Sequence, residues 1–290
     1  SDGPMLQAAA IEPTPAAAVG ARPRPRRVRW FALRQDIPSG AYAALAASSF
    51  VLAGLFWTVI TQQELVNPVF VPSPARVWAA ALTFLTEGEM LSDIEVSFLR
   101  VTAGFLLSTS LALPIGVLIG AFKVGEGLIQ PVTEFLRYVP VPALIPLMMV
   151  LFGIGELPKV MLIFIGTFFQ LVLMVAEEIR RVPFDLVQVG YTLGATRREI
   201  LERILWPAAL PGIFDALRLC NGWAWTYLVV AELVAANEGL GYRILKFSRF
   251  LQTPKIFVYL ILLGVVGLAL DFCFRTFNRR AFHWAATERR

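Results

Sequence analysis

This sequence is poor in the residues from which most catalytic and metal sites are built. It has one histidine, His283, and two cysteines, Cys220 and Cys273. There is no CxxC spacing, so neither a zinc site nor a disulfide framework is supported. One histidine near the C-terminus cannot form a histidine metal cluster. Charge is also scarce: Asp, Glu, Lys and Arg make up 16% of the chain, against about 25% in an ordinary soluble domain. The phosphate-cradling pattern G-x-x-x-x-G-K-[ST] is missing, as are H-E-x-x-H and G-x-S-x-G. No Ser, His and Asp arrangement and no carboxylate pair stands out for catalysis. Any work that needs ATP therefore falls to another chain, and no cofactor is expected on this one.

What the chain has in excess is apolar surface. Hydrophobic residues reach 57% of 290, and mean hydropathy is +0.66. A soluble core of this size cannot bury that much, which leaves an integral membrane protein. Six stretches approach the roughly 17–25 residues of a spanning helix. They are Gly40 to Thr61, Ala103 to Phe122, Leu128 to Phe152, Val160 to Ala176, about Ile213 to Ala236, and Ile256 to Phe274. The expected fold is all-α and polytopic. An amphipathic stretch, Leu91 to Thr102, extends the second span at its start. Pro131, Pro140, Pro142 and Pro146 interrupt the third. Residues 1–39 form a basic tail rich in Ala, Pro and Arg, residues 40–277 the transmembrane domain, and residues 278–290 a second tail. The tail lacks a compact apolar h-region followed by a small-residue cleavage site, and the first apolar run comes later and is full length, so it reads as a span and not a signal peptide.

The net charge of +5 reads as membrane topology and not as nucleic-acid binding, because the basic residues cluster beside the apolar runs. With the N-terminus inside, inner segments hold 17 Lys and Arg and outer segments 6, leaving aside Arg100, Arg137 and Arg218 in or near spans. Both termini are expected on the cytoplasmic side. An outer run from Ala75 to Leu85, preceded by Pro74, predicts a helix lying on the membrane surface.

The longest inner loop, about residues 180–212, is the most polar connected piece of the body. Pro183 opens a helix, with Leu186, Val187 and Val189 expected on its buried side. Gly190 and Gly194 permit a turn. Thr196 and Glu199 have capping-box spacing, which starts a second short helix. That helix puts Ile200, Leu201 and Ile204 on one side, and Arg197, Arg198, Glu202 and Arg203 mostly on the other. Trp206 and Pro207 are expected to stop it, and Pro211 to start the fifth span. An exposed knob of mixed charge suits docking on a soluble partner. By spacing alone, a solvated loop is an equal reading.

The loop resembles the cytoplasmic loop of permease subunits of binding-protein-dependent ABC importers. That pattern begins Glu-Ala-Ala, with Gly three residues later and Leu-Pro further on. Here Gln188, Val189 and Gly190 stand in the first positions. Leu193-Gly194-Ala195-Thr196 is intact, and Trp206-Pro207 stands in for Leu-Pro. Phe70-Val71-Pro72-Ser73-Pro74, Phe98 to Phe105, Pro140 to Leu147, Gly153-Ile154-Gly155 and Ala231-Glu232-Leu233 look like the nitrate, sulfonate (taurine) and bicarbonate branch. The resemblance implies the type I importer permease fold in a bacterial inner membrane. It implies a substrate handed over by a periplasmic or lipid-anchored binding protein. It also implies two cytoplasmic ATPase subunits, which bind the ATP and Mg, and a loop seated in a cleft of each. One loop per chain and two ATPase clefts point to a homodimer, the usual arrangement in this branch, or else to a pair with a second, different permease chain.

Broken backbone at membrane depth is tolerated where protein or a water-filled cavity satisfies it. Pro140, Pro142 and Pro146 therefore mark a segment lining the pathway, or else a kinked helix of no transport role. Arg100, Arg137, Arg218 and Glu232 must face protein, water or a partner. Arg100 and Arg137 either meet an anion, snorkel, or pair with Glu134, Asp215 or Glu232. Asn221 and Trp225 are four apart on one helix face, available to line the pore or to pack. Two other readings compete. A stand-alone secondary transporter usually has more spans and internal repeats. A membrane-embedded enzyme needs the catalytic groups that are missing above.

Overall fold

The computed structural model describes residues 38–87 and 89–283. The tail arginines Arg22 to Arg34 and residues 284–290 lie outside that range. Among the described residues there are eleven α-helices and no strand. They are α1 (Ser39–Gln62), α2 (Pro74–Glu87), α3 (Glu89–Ala121), α4 (Lys123–Leu136), α5 (Ile145–Phe152), α6 (Glu156–Arg180), α7 (Phe184–Thr192), α8 (Arg197–Ile200), α9 (Trp206–Ala235), α10 (Leu240–Arg249) and α11 (Thr253–Ala281). The boundary between two compact units falls inside α1, after Gly54, and the site residues below all lie in the second.

Four helices, α1, α3, α6 and α11, are each long and apolar enough to cross a membrane. The expected third span is a bent pair: α4 and the stretch Val141–Phe152 meet at 85°. The cause is local. Pro140 and Pro142 supply no N–H, so α4 ends and a 3-10 turn, Val141–Leu144, begins at Pro140. The expected fifth span, α9, is 30 residues long, but it carries Asp215, Arg218, Asn221 and Glu232 and does not pass the same hydropathy test. The amphipathic start of the second span is continuous with it, giving one helix of 33 residues. The helix expected over Ala75 to Leu85 is α2.

Helix α6 forms the centre of the core, with Leu162, Ile163, Leu171, Val172, Val175 and Ala176 nearly or fully buried. Helix α3 packs against it along a stripe of small residues four apart: Gly104, Ser108, Ala112, Gly116 and Gly120. In lipid, close backbone approach through such stripes is a main source of helix association. A Cβ on Gly116 would stand 2.6 Å from Val175 Cβ and 2.8 Å from the Val172 carbonyl. One on Gly104 would stand 2.8 Å from Ile163 Cβ. The outward faces are apolar too: Leu260, Ile261, Val265, Leu268 and Phe272 of α11 are exposed, as expected where the solvent is hydrocarbon.

The loop between α6 and α9 departs from its sequence reading in three ways. Leu186 and Val189 are exposed, and the buried residue of α7 is Gly190. Gly190 does not make the turn. It lies within α7, where a Cβ would meet Ile204 Cδ1 at 2.8 Å and Ile200 Cγ1 at 3.2 Å, so it lets α7 lie against the next segment. Trp206 and Pro207 do not stop a helix. The chain runs on from α8 through a wide π-helical turn, Leu201–Leu205, into α9, and Pro211 sits inside α9. A wide turn before Pro207 accommodates the ladder hydrogen bond that a proline cannot donate.

Candidate functional site

The loop is built by two local devices. Helix α7 ends at Leu193, and Gly194 follows with φ +81°, the left-handed conformation that favours glycine at a helix C-terminus. Its N–H donates to the Tyr191 carbonyl at 3.0 Å, and the Ala195 N–H donates to the Gly190 carbonyl at 3.0 Å. Then Thr196 caps α8. The Glu199 N–H donates to Thr196 Oγ1 at 3.3 Å, and the Thr196 N–H donates to Glu199 Oε2 at 2.9 Å. The capping box read from the sequence is formed. These bonds hold the Glu199 carboxyl below its usual range, first through the Thr196 backbone N–H and then through its hydroxyl.

The result is a compact elbow with an exposed surface. Gln188, Arg197, Arg198 and Glu202 are exposed. Arg198 Nε donates to Glu202 Oε1 at 2.7 Å, which raises the Arg198 pKa. Arg203 lies 3.9 Å from Glu199. Leu193 is 81% exposed, and Phe184, Leu186, Val189 and Tyr191 are exposed beside it. Large apolar side chains interleaved with fixed charges mark an interaction surface.

The opposite end of the bundle holds an ion network that the sequence reading did not assemble. Arg100, on α3, is 3% exposed. Its Nε and Nη2 donate to Glu156 at 2.5 and 2.8 Å, and its Nη1 donates to Glu232 at 2.7 Å and to the Glu238 carbonyl at 2.8 Å. Glu232 also accepts from Ser97 Oγ at 2.8 Å and from the Gly241 N–H at 2.8 Å. Beside it Asp93 accepts from Arg243 at 2.8 Å, from the Tyr259 hydroxyl at 2.9 Å and from the Gly239 N–H at 3.1 Å. Lys159 reaches Glu156 at 2.6 Å. Arg100 and Glu232 thus tie α3, α6, α9 and α10 together. A guanidinium that gives four of its five hydrogens to carboxylates and a carbonyl is not placed to receive an anion. The expectation that Arg100 lines a pathway is corrected accordingly. Of the partners weighed in the sequence, Glu232 is the one it takes. Asp93, Ser97 and Arg100 share one face of an apolar helix, spaced four and three apart. That polar stripe is the sequence signal for the network.

The remaining residues divide between two clefts. Arg218, Asn221 and Trp225 line one of about 470 Å³ between α9 and α11. Arg218 Nε lies 3.3 Å from Asp271 and Nη1 3.8 Å from Asp215. That is close enough to pair, but Nε has no hydrogen bond of good geometry. Trp225 is buried, and its indole N–H has no partner. The second cleft, of about 450 Å³, is lined by Arg137, Tyr138, Pro140, Pro142, Gln170, Trp223 and Tyr227, among others. Glu134 is not paired with Arg137: it accepts from Gln130 at 2.7 Å. Pro146 is exposed near the start of α5 and lines neither cleft. Among the described residues no group of His, Cys, Asp and Glu could hold a metal ion.

Comparison with known proteins agrees with this architecture. A probable ABC transporter permease protein of Brucella melitensis is 36% identical over 228 residues, covering 79% of this chain and 92% of its own length. The putative aliphatic sulfonates transport permease protein SsuC of Bacillus subtilis is 35% identical over 228 residues, covering 79% and 83%. Among solved structures, an inward-facing form of the MetNI methionine ABC transporter superposes with a TM-score of 0.62 at 18% identity. The match covers 67% of this chain and 97% of that one, and it shows the shared fold. Residues 112–283 match the family described as binding-protein-dependent transport system inner membrane component. The chain belongs to that family, the permease subunits of ABC importers.

Proposed function

We propose that this chain, as a homodimer, forms the translocation pathway of an ATP-driven importer of small oxyanions of the sulfonate class. The loop at about residues 180–212 docks on a separate cytoplasmic ATPase, which binds the ATP and Mg. A binding protein on the outer side delivers the solute. Both termini lie on the cytoplasmic side. The observation that supports this most is the elbow itself. Glycine-capped and threonine-boxed, it presents Leu193 and Tyr191 beside Arg197, Arg198 and Glu202 on a surface that none of the described residues covers. Such a rigid, exposed, mixed surface is suited to transmit a partner's closure into a helix, because α8 runs directly into α9. The SsuC relative supports the sulfonate class.

The test is co-expression with the ATPase subunits. The wild-type chain should retain them through purification in detergent. The double variant Arg197→Glu, Arg198→Glu should insert normally and lose them. Retention by the charge-reversed chain, or ion-gradient-driven solute movement by this chain alone in liposomes, would overturn the proposal.

A further inference from the structure

Arg100, Arg137 and Arg218 are the three arginines in or near the apolar runs, and among the described residues Arg137 is the one of the three with no carboxylate partner. Arg100 pairs with Glu156 and Glu232, and Arg218 with Asp215 and Asp271. Arg137 makes one side-chain hydrogen bond, from Nη2 to the Tyr138 hydroxyl at 3.0 Å, and its guanidinium lies 4.8 Å from the centre of the Tyr138 ring. That leaves four of the five guanidinium hydrogens without a partner among the described residues. An unpaired cation within a membrane protein is costly and is kept where water or a ligand reaches it.

The surroundings are of one electrostatic kind. The cleft beside Arg137 contains no Asp or Glu. Its polar side chains are Tyr138, Gln170, Trp223 and Tyr227, all able to donate a hydrogen bond, and indole can only donate. Gln170, Trp223 and Tyr227 make no side-chain hydrogen bond within the described residues, so their donors are free. Phe169, the Trp223 indole and the Tyr138 and Tyr227 phenol rings give the cleft an apolar, aromatic side. Tyr227 lies flat against Gly166, where a Cβ would meet the ring at 2.5–2.8 Å. Gly166 follows the start of α6 by ten residues, about 15 Å along the helix, or roughly half the thickness of a bilayer core. One wall is the 85° break at Pro140 and Pro142, irregular backbone of the sort found at membrane depth only beside protein or water.

We infer that this midplane cleft is an anion-passage subsite, in which Arg137 neutralises a small oxyanion, Gln170 and Trp223 donate to its oxygens, and Phe169 and Tyr227 receive an apolar tail. The inference rests on the importer reading and adds to it the place and residues of contact. A cleft with a free guanidinium, spare donors and no acid favours anions over cations of equal size through both Coulomb attraction and hydrogen bonding. An organosulfonate or an alkyl carboxylate has the matching shape: charged oxygens at one end and a short apolar body at the other.

The test uses thiol reagents of opposite charge on the full chain in detergent, whether or not the ATPase co-purifies with it. In a chain with Cys220→Ala and Cys273→Ala, Gln170→Cys provides one thiol in the cleft. Its rates with methanethiosulfonate ethylsulfonate and with the trimethylammonium analogue are each divided by the rate on a free thiol. The sulfonate reagent should be preferred by about tenfold or more. Arg137→Gln should remove the preference, and Arg137→Lys should keep most of it. Equal rates, a preference for the cation, or no reaction with either reagent would overturn the inference. So would a preference that persists in Arg137→Gln. If that variant does not assemble, the preference measured with Arg137 and with Lys in its place still decides. Because no step depends on ATPase retention, failure here leaves the coupling proposal standing, and loss of the ATPase leaves this result readable.

Discussion

Removing the guanidinium of Arg100 should destabilise the bundle far more than removing its carboxylate partner. Arg100→Met leaves Glu232, a side chain with no exposure, buried without a cation. Its Ser97 and Gly241 hydrogen bonds remain, but the charge is uncompensated. Breaking a buried pair in this way costs about 3–5 kcal/mol. Glu156 suffers little, because it is 58% exposed and keeps Lys159. Glu232→Gln is milder: Arg100 retains Glu156 and the Glu238 carbonyl, and the amide still accepts from Gly241, for about 1–3 kcal/mol. The double variant Arg100→Met, Glu232→Gln removes the orphaned charge and should recover at least half of the Arg100→Met loss. At about 2–4 °C per kcal/mol for a domain of this size, Arg100→Met should unfold about 6–20 °C earlier in detergent. A fluorescence-monitored melt of the three variants measures this. A shift under about 2 °C for Arg100→Met, or a double variant less stable than either single one, would refute the reasoning.

The α3–α6 seam predicts that Gly116→Ala, whose methyl would stand 2.6 Å from Val175 Cβ, costs about 1–3 kcal/mol by overpacking, read from the same melts. Gly127→Ala, with open space around it, serves as the control. Gly194 has φ +81° with nothing near a Cβ, so Gly194→Ala should cost about 1–2 kcal/mol through backbone conformation alone. Gly194→Pro should insert into membranes normally yet uncouple ATP hydrolysis from uptake, and unchanged uptake would count against the elbow's role. Thr196→Ala should weaken the start of α8 by about 1 kcal/mol, seen as faster amide exchange at Glu199. Because the folded Glu199 carboxyl titrates below its ordinary value of 4.5, its contribution is fully present above that value. It is lost as pH falls through the lowered one, so the protection of the Thr196 amide, taken relative to its intrinsic exchange rate at each pH, should stay flat near neutral pH and fall only on acidification.

The long elements were legible because lipid imposes a simple rule, a full-length apolar run for each crossing, and α1, α3, α6 and α11 obey it. The break near Pro140 was legible for the same covalent reason that produces it. The capping box at Thr196 was legible because both of its ends lie within four residues. What depends on a third body was not. The burial assigned to Leu186 and Val189 assumed that apolar side chains face this chain's own core, whereas the elbow turns them outward. Pro207 looked like a stop because periodicity does not show a wide turn that accommodates it. Helix α10 is short and basic, with Lys246 and Arg249 in its last turn, and so it read as loop. The Asp93–Arg243 and Arg100–Glu232 pairs are more than 130 residues apart in the chain, and a single sequence does not pair them.

In the proposed importer, the elbow between α7 and α8 meets a separate ATPase. A photo-crosslinking amino acid in place of Leu193, the most exposed large apolar side chain of the elbow, tests it directly in membranes that contain the co-expressed ATPase. Illumination should give one adduct with the mass of this chain plus one ATPase, and the Arg197→Glu, Arg198→Glu background should abolish it. Adducts with lipid alone, or none despite ATPase in the same membranes, would contradict the account.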